Sequence, residues 1–208
     1  QSYVLDASNT GLGDELITNT DFESSIDNWT IVYQGDTSGV TATRNTTNPI
    51  SGNADISVVN NSGNNAGVAS NAISFVSGYT YKVSVDGISP DGNLQIKIGS
   101  SQTPGSGKIG GSENQAISTT STATSLTYYF TSTETETNYL IAYVSDGRSF
   151  KIDNLSIKTV NAKNNATTAF YGDELFTVSA DRDLGGSHNW VVTDAQWGYD
   201  AGNDELDY

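Results

Sequence analysis

Between Tyr79 and Ile157, apolar side chains recur at alternate positions. This constrains the chain more than any other feature, because residues two apart share a face only in an extended strand. Tyr79, Tyr81, Val83 and Val85 form one face, opposite Thr80, Lys82 and Ser84. Leu94, Ile96 and Ile98 alternate with Gln95 and Lys97; Leu126, Tyr128 and Phe130 alternate with Thr127 and Tyr129. Leu140, Ala142 and Val144 alternate with Tyr139, Ile141 and Tyr143. The series closes on Phe150, Ile152, Leu155 and Ile157, with Asp153-Asn154 shifting the register. Ser77-Gly78, Pro90-Asp91-Gly92, Pro104-Gly105-Ser106-Gly107 and Asp146-Gly147 separate the runs as turns. The expectation is an all-β unit, folded as a sandwich or jelly roll.

Composition agrees and narrows the function classes. Charged residues reach only 16% and hydrophobic ones 35%, which suits short strands joined by polar turns. No apolar run approaches the ~18 residues of a membrane-spanning helix, so no membrane insertion is expected. With no Cys there is no disulfide frame or thiolate metal site, and one His excludes a multi-histidine site. The net charge of −15 is segregated: residues 1–43 carry seven acids and no Lys or Arg, and residues 164–208 carry nine acids against Arg182. The middle is neutral, and without a basic stripe nucleic acid is not an expected partner. Acid confined to the two ends points to cation sites or a positively charged neighbour.

An internal repeat organises the chain. Gly13-Asp14-Glu15-Leu16-Ile17-Thr18 recurs as Gly172-Asp173-Glu174-Leu175-Phe176-Thr177, and Asn28-Trp29 recurs at nearly the same offset as Asn189-Trp190. Three segments are expected: a linker or arm over 1–12, a jelly roll over 13–160, and over 161–208 a linker with the opening of a second, incomplete repeat. The absence of Met suggests a piece of something longer. Trp29 is expected in the core; Trp190 and Trp197 would need cover from elsewhere.

The run Leu16 to Glu23 followed by Asn28-Trp29 resembles the start of the galactose-binding-like jelly rolls that include carbohydrate-binding modules of families four, nine and twenty-two. Phe150-Lys151-Ile152-Asp153-Asn154-Leu155-Ser156-Ile157 resembles their last strand, and Ser51-Gly52-Asn53-Ala54 and Val76 to Tyr81 fit the same order. The resemblance implies adjacent first and last strands and a structural Ca²⁺ held by Glu23 and Asp153, with oxygens near Thr20, Ser51 and Ala54 completing the shell. Hard oxygen ligands suit that ion. The alternative is that Glu23 and Asp153 are exposed or turn-capping carboxylates.

The resemblance also implies a glycan or polysaccharide ligand laid on aromatic faces. Tyr129, Tyr139 and Tyr143 are the candidate platforms, with Lys82, Gln95 and Lys97 as polar partners on one concave sheet; ordinary cross-strand stabilisation is the competing account. The loops Asn64-Asn65-Ala66-Gly67 and Gly105-Ser106-Gly107-Lys108 lack the aromatics that tight binders present. Catalysis is not expected: the lone His188 sits in a glycine-rich turn, and no glycine loop precedes a helix. The reading is a non-catalytic extracellular or surface-exposed carbohydrate-binding or adhesion module. The alternative is a structural subunit of a virion tail, capsid decoration or filament, with self-association or a neighbouring repeat as partner and Ser2-Tyr3-Val4-Leu5 added to a neighbour's sheet edge.

Overall fold

The computed structural model describes residues 2–5, 11–35, 38–118, 120–160, 166–169, 198–200 and 205–207; the recurring Gly172–Thr177, His188, Trp190 and Trp197 lie outside them. Every regular element among the described residues is a strand. The chain divides into two compact units, Leu12–Asn161 and a second made of Gln1–Gly11 with Ala162–Tyr208. In the second unit, β1 (Ser2–Leu5) pairs antiparallel with β14 (Ala166–Ala169), and β15 (Gly198–Asp200) pairs with β16 (Glu205–Asp207). Ser2–Leu5, expected to add to a neighbour's sheet edge, has one of its own edges paired with Ala166–Ala169.

The larger unit holds β2 (Leu12–Glu15), β3 (Thr30–Tyr33), β4 (Val40–Asn45), β5 (Asp55–Asn60), β6 (Ala66–Ala69), β7 (Ile73–Phe75) and β8 (Thr80–Ser89). It continues through β9 (Leu94–Gly99), β10 (Gln115–Ile117), β11 (Thr120–Thr131), β12 (Glu136–Val144) and β13 (Arg148–Val160). One sheet runs β10-β9-β12-β6-β3, with β7 also on β12; the other runs β11-β8-β13-β5-β4, with β2 on β13. They are called here the β12 sheet and the β13 sheet. All their strand pairs are antiparallel. The unit is an all-β sandwich with the jelly-roll arrangement of first strand beside last: Glu15 faces Lys158, and the Leu16 N–H donates to the Ile157 carbonyl at 2.9 Å.

Alternation places the core. Tyr81, Val83, Val85, Tyr128, Phe130, Ile152, Leu155 and Ile157 from the β13 sheet meet Leu94, Ile96, Ile98, Leu140, Ala142 and Val144 from the β12 sheet in one buried cluster. Tyr128 is buried while its neighbour Tyr129 is exposed, as period two requires. Trp29 is buried too, edge-on to Phe22 at 5.5 Å, with its Nε1–H donated to the Asn19 carbonyl. The register shift expected at Asp153-Asn154 is a bulge between Asp153 and Ser156, with Asn154 at φ 50°.

One inward expectation fails. Tyr79 is 56% exposed, because Gly78 at φ +82° closes a turn in which the Tyr79 N–H donates to the Val76 carbonyl, and β8 begins only at Thr80. Tyr81 fills the core position, 4.8 Å from the Phe75 ring, with its hydroxyl accepting the Val76 N–H at 2.8 Å. Tyr81→Ala should cost about 3–5 kcal/mol in urea unfolding, whereas Tyr79→Ala should stay within about 0.5 kcal/mol.

Candidate functional site

The six candidate sugar-binding residues divide between the two outer faces of the sandwich and do not share one concave sheet. Tyr129 and Lys82 lie directly opposite each other across β11 and β8, on the β13 sheet. Gln95 and Lys97 on β9 lie opposite Tyr143 and Ile141 on β12, with Tyr139 one step further along, all on the β12 sheet. The reason is topological. Alternation assigns each residue to an inside or an outside, while hydrogen bonding between distant segments decides which outside.

The β12 face is largely covered. Lys97 is only 3% exposed: its Nζ donates to the Pro104 and Ser106 carbonyls, each at 2.7 Å, and lies 5.8 Å from the centre of the Tyr143 ring. The β9–β10 connection crosses the face from there, with the Gln102 amide donating to Ser70 and the Thr103 hydroxyl to Tyr33. Beneath it, Val32, Ala69, Ile141 and Tyr143 form a small buried cluster flanked by Tyr139. Burial depresses the Lys97 pKa, with Lys108 adding repulsion, and burial raises that of Tyr143. Neither Lys97 nor Tyr143 presents a platform here; Lys97 holds the covering loop. Gln95 and Tyr139 remain half-buried at its margin.

Among the described residues no connection crosses the β13 face. Tyr129 is 60% exposed, and across β11, β8, β13 and β2 the facing residues are Tyr129, Lys82, Lys158 and Glu15. Hydroxyls and amides surround this row. Thr80 and Thr131 share a 2.8 Å hydrogen bond, Asp86 accepts from Ser125 and from the Asn154 amide, and Glu15 accepts from the Ser156 hydroxyl and the Ile157 N–H, each at 2.6 Å. Sequence reasoning missed Lys158. Its outward phase follows from Leu155 and Ile157 pointing in, but its place beside Lys82 needs the pairing of β13 with β8.

The cation candidates gather on the turn Ser51-Gly52-Asn53. Asp153 Oδ2 accepts from the Ser51 N–H and hydroxyl at 3.1 and 2.8 Å, and its Oδ1 from the Asn154 N–H at 2.8 Å. Glu23 accepts from the Asn53 N–H and side-chain amide, and fills the space a Cβ at Gly52 would occupy; Gly52 is at φ +54°. Thr20 contributes its carbonyl to the Leu155 N–H at 3.0 Å, and Ala54 is buried. The Arg44 guanidinium donates to the carbonyls of Phe22 and Glu23.

Each carboxylate has about four lone-pair directions, so both retain capacity, and hydroxyl and carbonyl oxygens lie alongside. Asp153 is fully buried and forms no ion pair among the described residues. Oxygen donors of these kinds are those a hard cation takes; no group of three or more His, Cys, Asp or Glu suited to a metal occurs among the described residues.

Burial raises the Asp153 pKa, with nearby Asp55 adding repulsion against the hydrogen bonds that lower it; the Asn53 N–H lowers that of Glu23. The native state then holds a proton on Asp153 where the unfolded chain, near pKa ~3.9, has lost it. Without added cation, the stability of the wild type relative to Asp153→Asn should fall as pH rises from about 4 through the raised value. Paired urea titrations at stepped pH measure this difference.

No protein-family model and no curated protein matches the chain. Solved structures do. The enzymatically active domain of bacteriophage CBA120 tailspike protein 4 superimposes with a TM-score of 0.56 at 16% identity, over 70% of this chain and 21% of that one. The Stig cyclase Fisc of Fischerella sp. TAU gives 0.53 at 12% identity, over 73% and 100%. The CBM22-1 xylan-binding domain of Paenibacillus barcinonensis Xyn10C gives 0.52 at 16% identity, over 73% and 97%. The chain thus has the β-sandwich jelly-roll fold of the carbohydrate-binding modules it resembles in sequence. That fold carries binding and catalytic functions alike, so function is argued from the site.

Proposed function

We propose that this protein is a non-catalytic carbohydrate-binding or adhesion module, working outside the cell or on a surface and stabilised by Ca²⁺. The observation that carries the reading is Tyr129, exposed on the β13 face opposite Lys82 and amid hydroxyl and amide groups. A pyranose lays its apolar face on such a ring while its hydroxyls take the polar neighbours. The fold shared with a xylan-binding domain supports it. Tyr139 and Gln95, at the margin of the covered face, would form a separate and weaker site on the other side of the sandwich. On a glycan array, the wild type should retain a sugar at millimolar concentration, and Tyr129→Ala should lose it with unchanged melting temperature. Retention of nothing by the wild type removes the ligand.

Calcium would be held by Glu23 and Asp153, with Ser51 and the carbonyls of Thr20 and Ala54. It would neutralise a buried carboxylate and tie the 51–53 turn to the last strand. Saturating Ca²⁺ at about 100-fold over Kd should add ~2.7 kcal/mol to stability, and the increment should vanish on chelation and in Glu23→Gln. A melting temperature indifferent to Ca²⁺ and chelator excludes the ion.

The likeness to the tailspike domain favours a second reading, a structural subunit of a virion or filament built on the same fold. Mass in solution at high concentration distinguishes the two, a strict monomer counting against this one.

A further inference from the structure

Lys82 and Lys158 face each other across β8 and β13, and Tyr129 flanks Lys82 on the other side. Like charges directly opposite on a sheet are destabilising. Other lysines of the unit are engaged: Lys97 on two carbonyls, Lys108 on Glu113, Lys151 on Asp55 and the carbonyls of Thr47 and Asn48. Lys82 and Lys158 make no ion pair or hydrogen bond among the described residues. The nearby carboxylates do not serve them. Glu15, though opposite Lys158, is turned to the Ser156 hydroxyl and Ile157 N–H, and Asp86 to Ser125 and Asn154. A chain of net charge −15 thus sets two lysines with no ion pair or hydrogen bond among the described residues at facing strand positions, next to the most exposed large aromatic of those residues.

Resting on the sugar-binding reading of Tyr129, we infer that this face takes an acidic polysaccharide, one whose pyranose rings carry carboxylates. The row from Tyr129 through Lys82 to Lys158 spans two inter-strand spacings, about 9–10 Å, the scale of a disaccharide. A uronate ring stacked on Tyr129 carries its equatorial carboxylate in the ring plane, at the edge toward Lys82, and the next uronate brings its own to Lys158. Thr80, Thr131 and Ser84 lie along the same outer face for the ring hydroxyls. A neutral glycan would use the ring and the hydroxyls but leave the lysine repulsion uncompensated.

Isothermal titration of the full chain with oligogalacturonate, neutral galactan and a sulphated galactan, at about 20 and 200 mM NaCl, tests this. Oligogalacturonate should bind more tightly than galactan and weaken at the higher salt. Lys158→Ser and Lys82→Ser should each lose about fivefold toward oligogalacturonate alone, with melting temperature unchanged or raised as the repulsion is relieved, and Tyr129→Ala should weaken both ligands. Equal binding of neutral and acidic chains, indifferent to both lysines, would overturn the inference and leave the sugar-binding reading intact. So would preference for the sulphated chain, or lysine variants that change only the mass of the protein in solution, which would mark an acidic protein surface as the occupant. No binding of any glycan would overturn both.

Discussion

Strand β13 is the element on which the rest of the larger unit depends. It pairs with β8 on one side and with β5 and β2 on the other, so the β13 sheet cannot form without it. Its inward residues Phe150, Ile152, Leu155 and Ile157 are all buried in the main core. The bulge at Asp153-Asn154 changes its phase once, turning Asp153 toward Ser51 and Asn154 toward Asp86. Beyond the bulge, Ser156 and Lys158 point out, and the face carrying Lys82 and Tyr129 is completed. One strand therefore bears the core, the candidate cation ligand and part of the candidate sugar surface.

The two outer faces show different answers to the same problem. A sheet face that is not core must be solvated or covered, and every buried polar group must find a partner. The β12 face is covered by the β9–β10 connection, at the cost of burying an ammonium group. Its two carbonyl acceptors and the adjacent Tyr143 ring offset that cost, and they fix the loop. No connection among the described residues crosses the β13 face, where Thr, Ser and Asn side chains point outward and Lys82 and Lys158 are half-buried.

Much of this was legible in the residues. The inward set from Tyr81 through Ile157 followed from alternation alone, as did the burial of Tyr128 beside an exposed Tyr129 and the register shift at Asp153. Tyr79 was not legible, because the turn at Gly78 makes the strand begin one residue later than the pattern implies. The candidate sugar residues were individually outward, but their company was not legible: Lys82 and Tyr129 lie on one sheet, and Gln95, Lys97, Tyr139 and Tyr143 on the other. Nor did any pattern mark Lys97 as buried, since the loop that covers it is closed by hydrogen bonds to Ser70 and Tyr33, far away in sequence.

The division has a physical cause. Which side of a strand a residue occupies is a property of two or three neighbours along the backbone, so the order of amino acids determined by itself that this is a two-layered all-β unit, and which side chains fill it. Which strands lie beside one another is settled by hydrogen bonds and apolar contacts between segments tens of residues apart. Only the folded chain could set Lys158 next to Lys82, draw Glu23 and Asp153 to one turn, and lay the β9–β10 connection across one face.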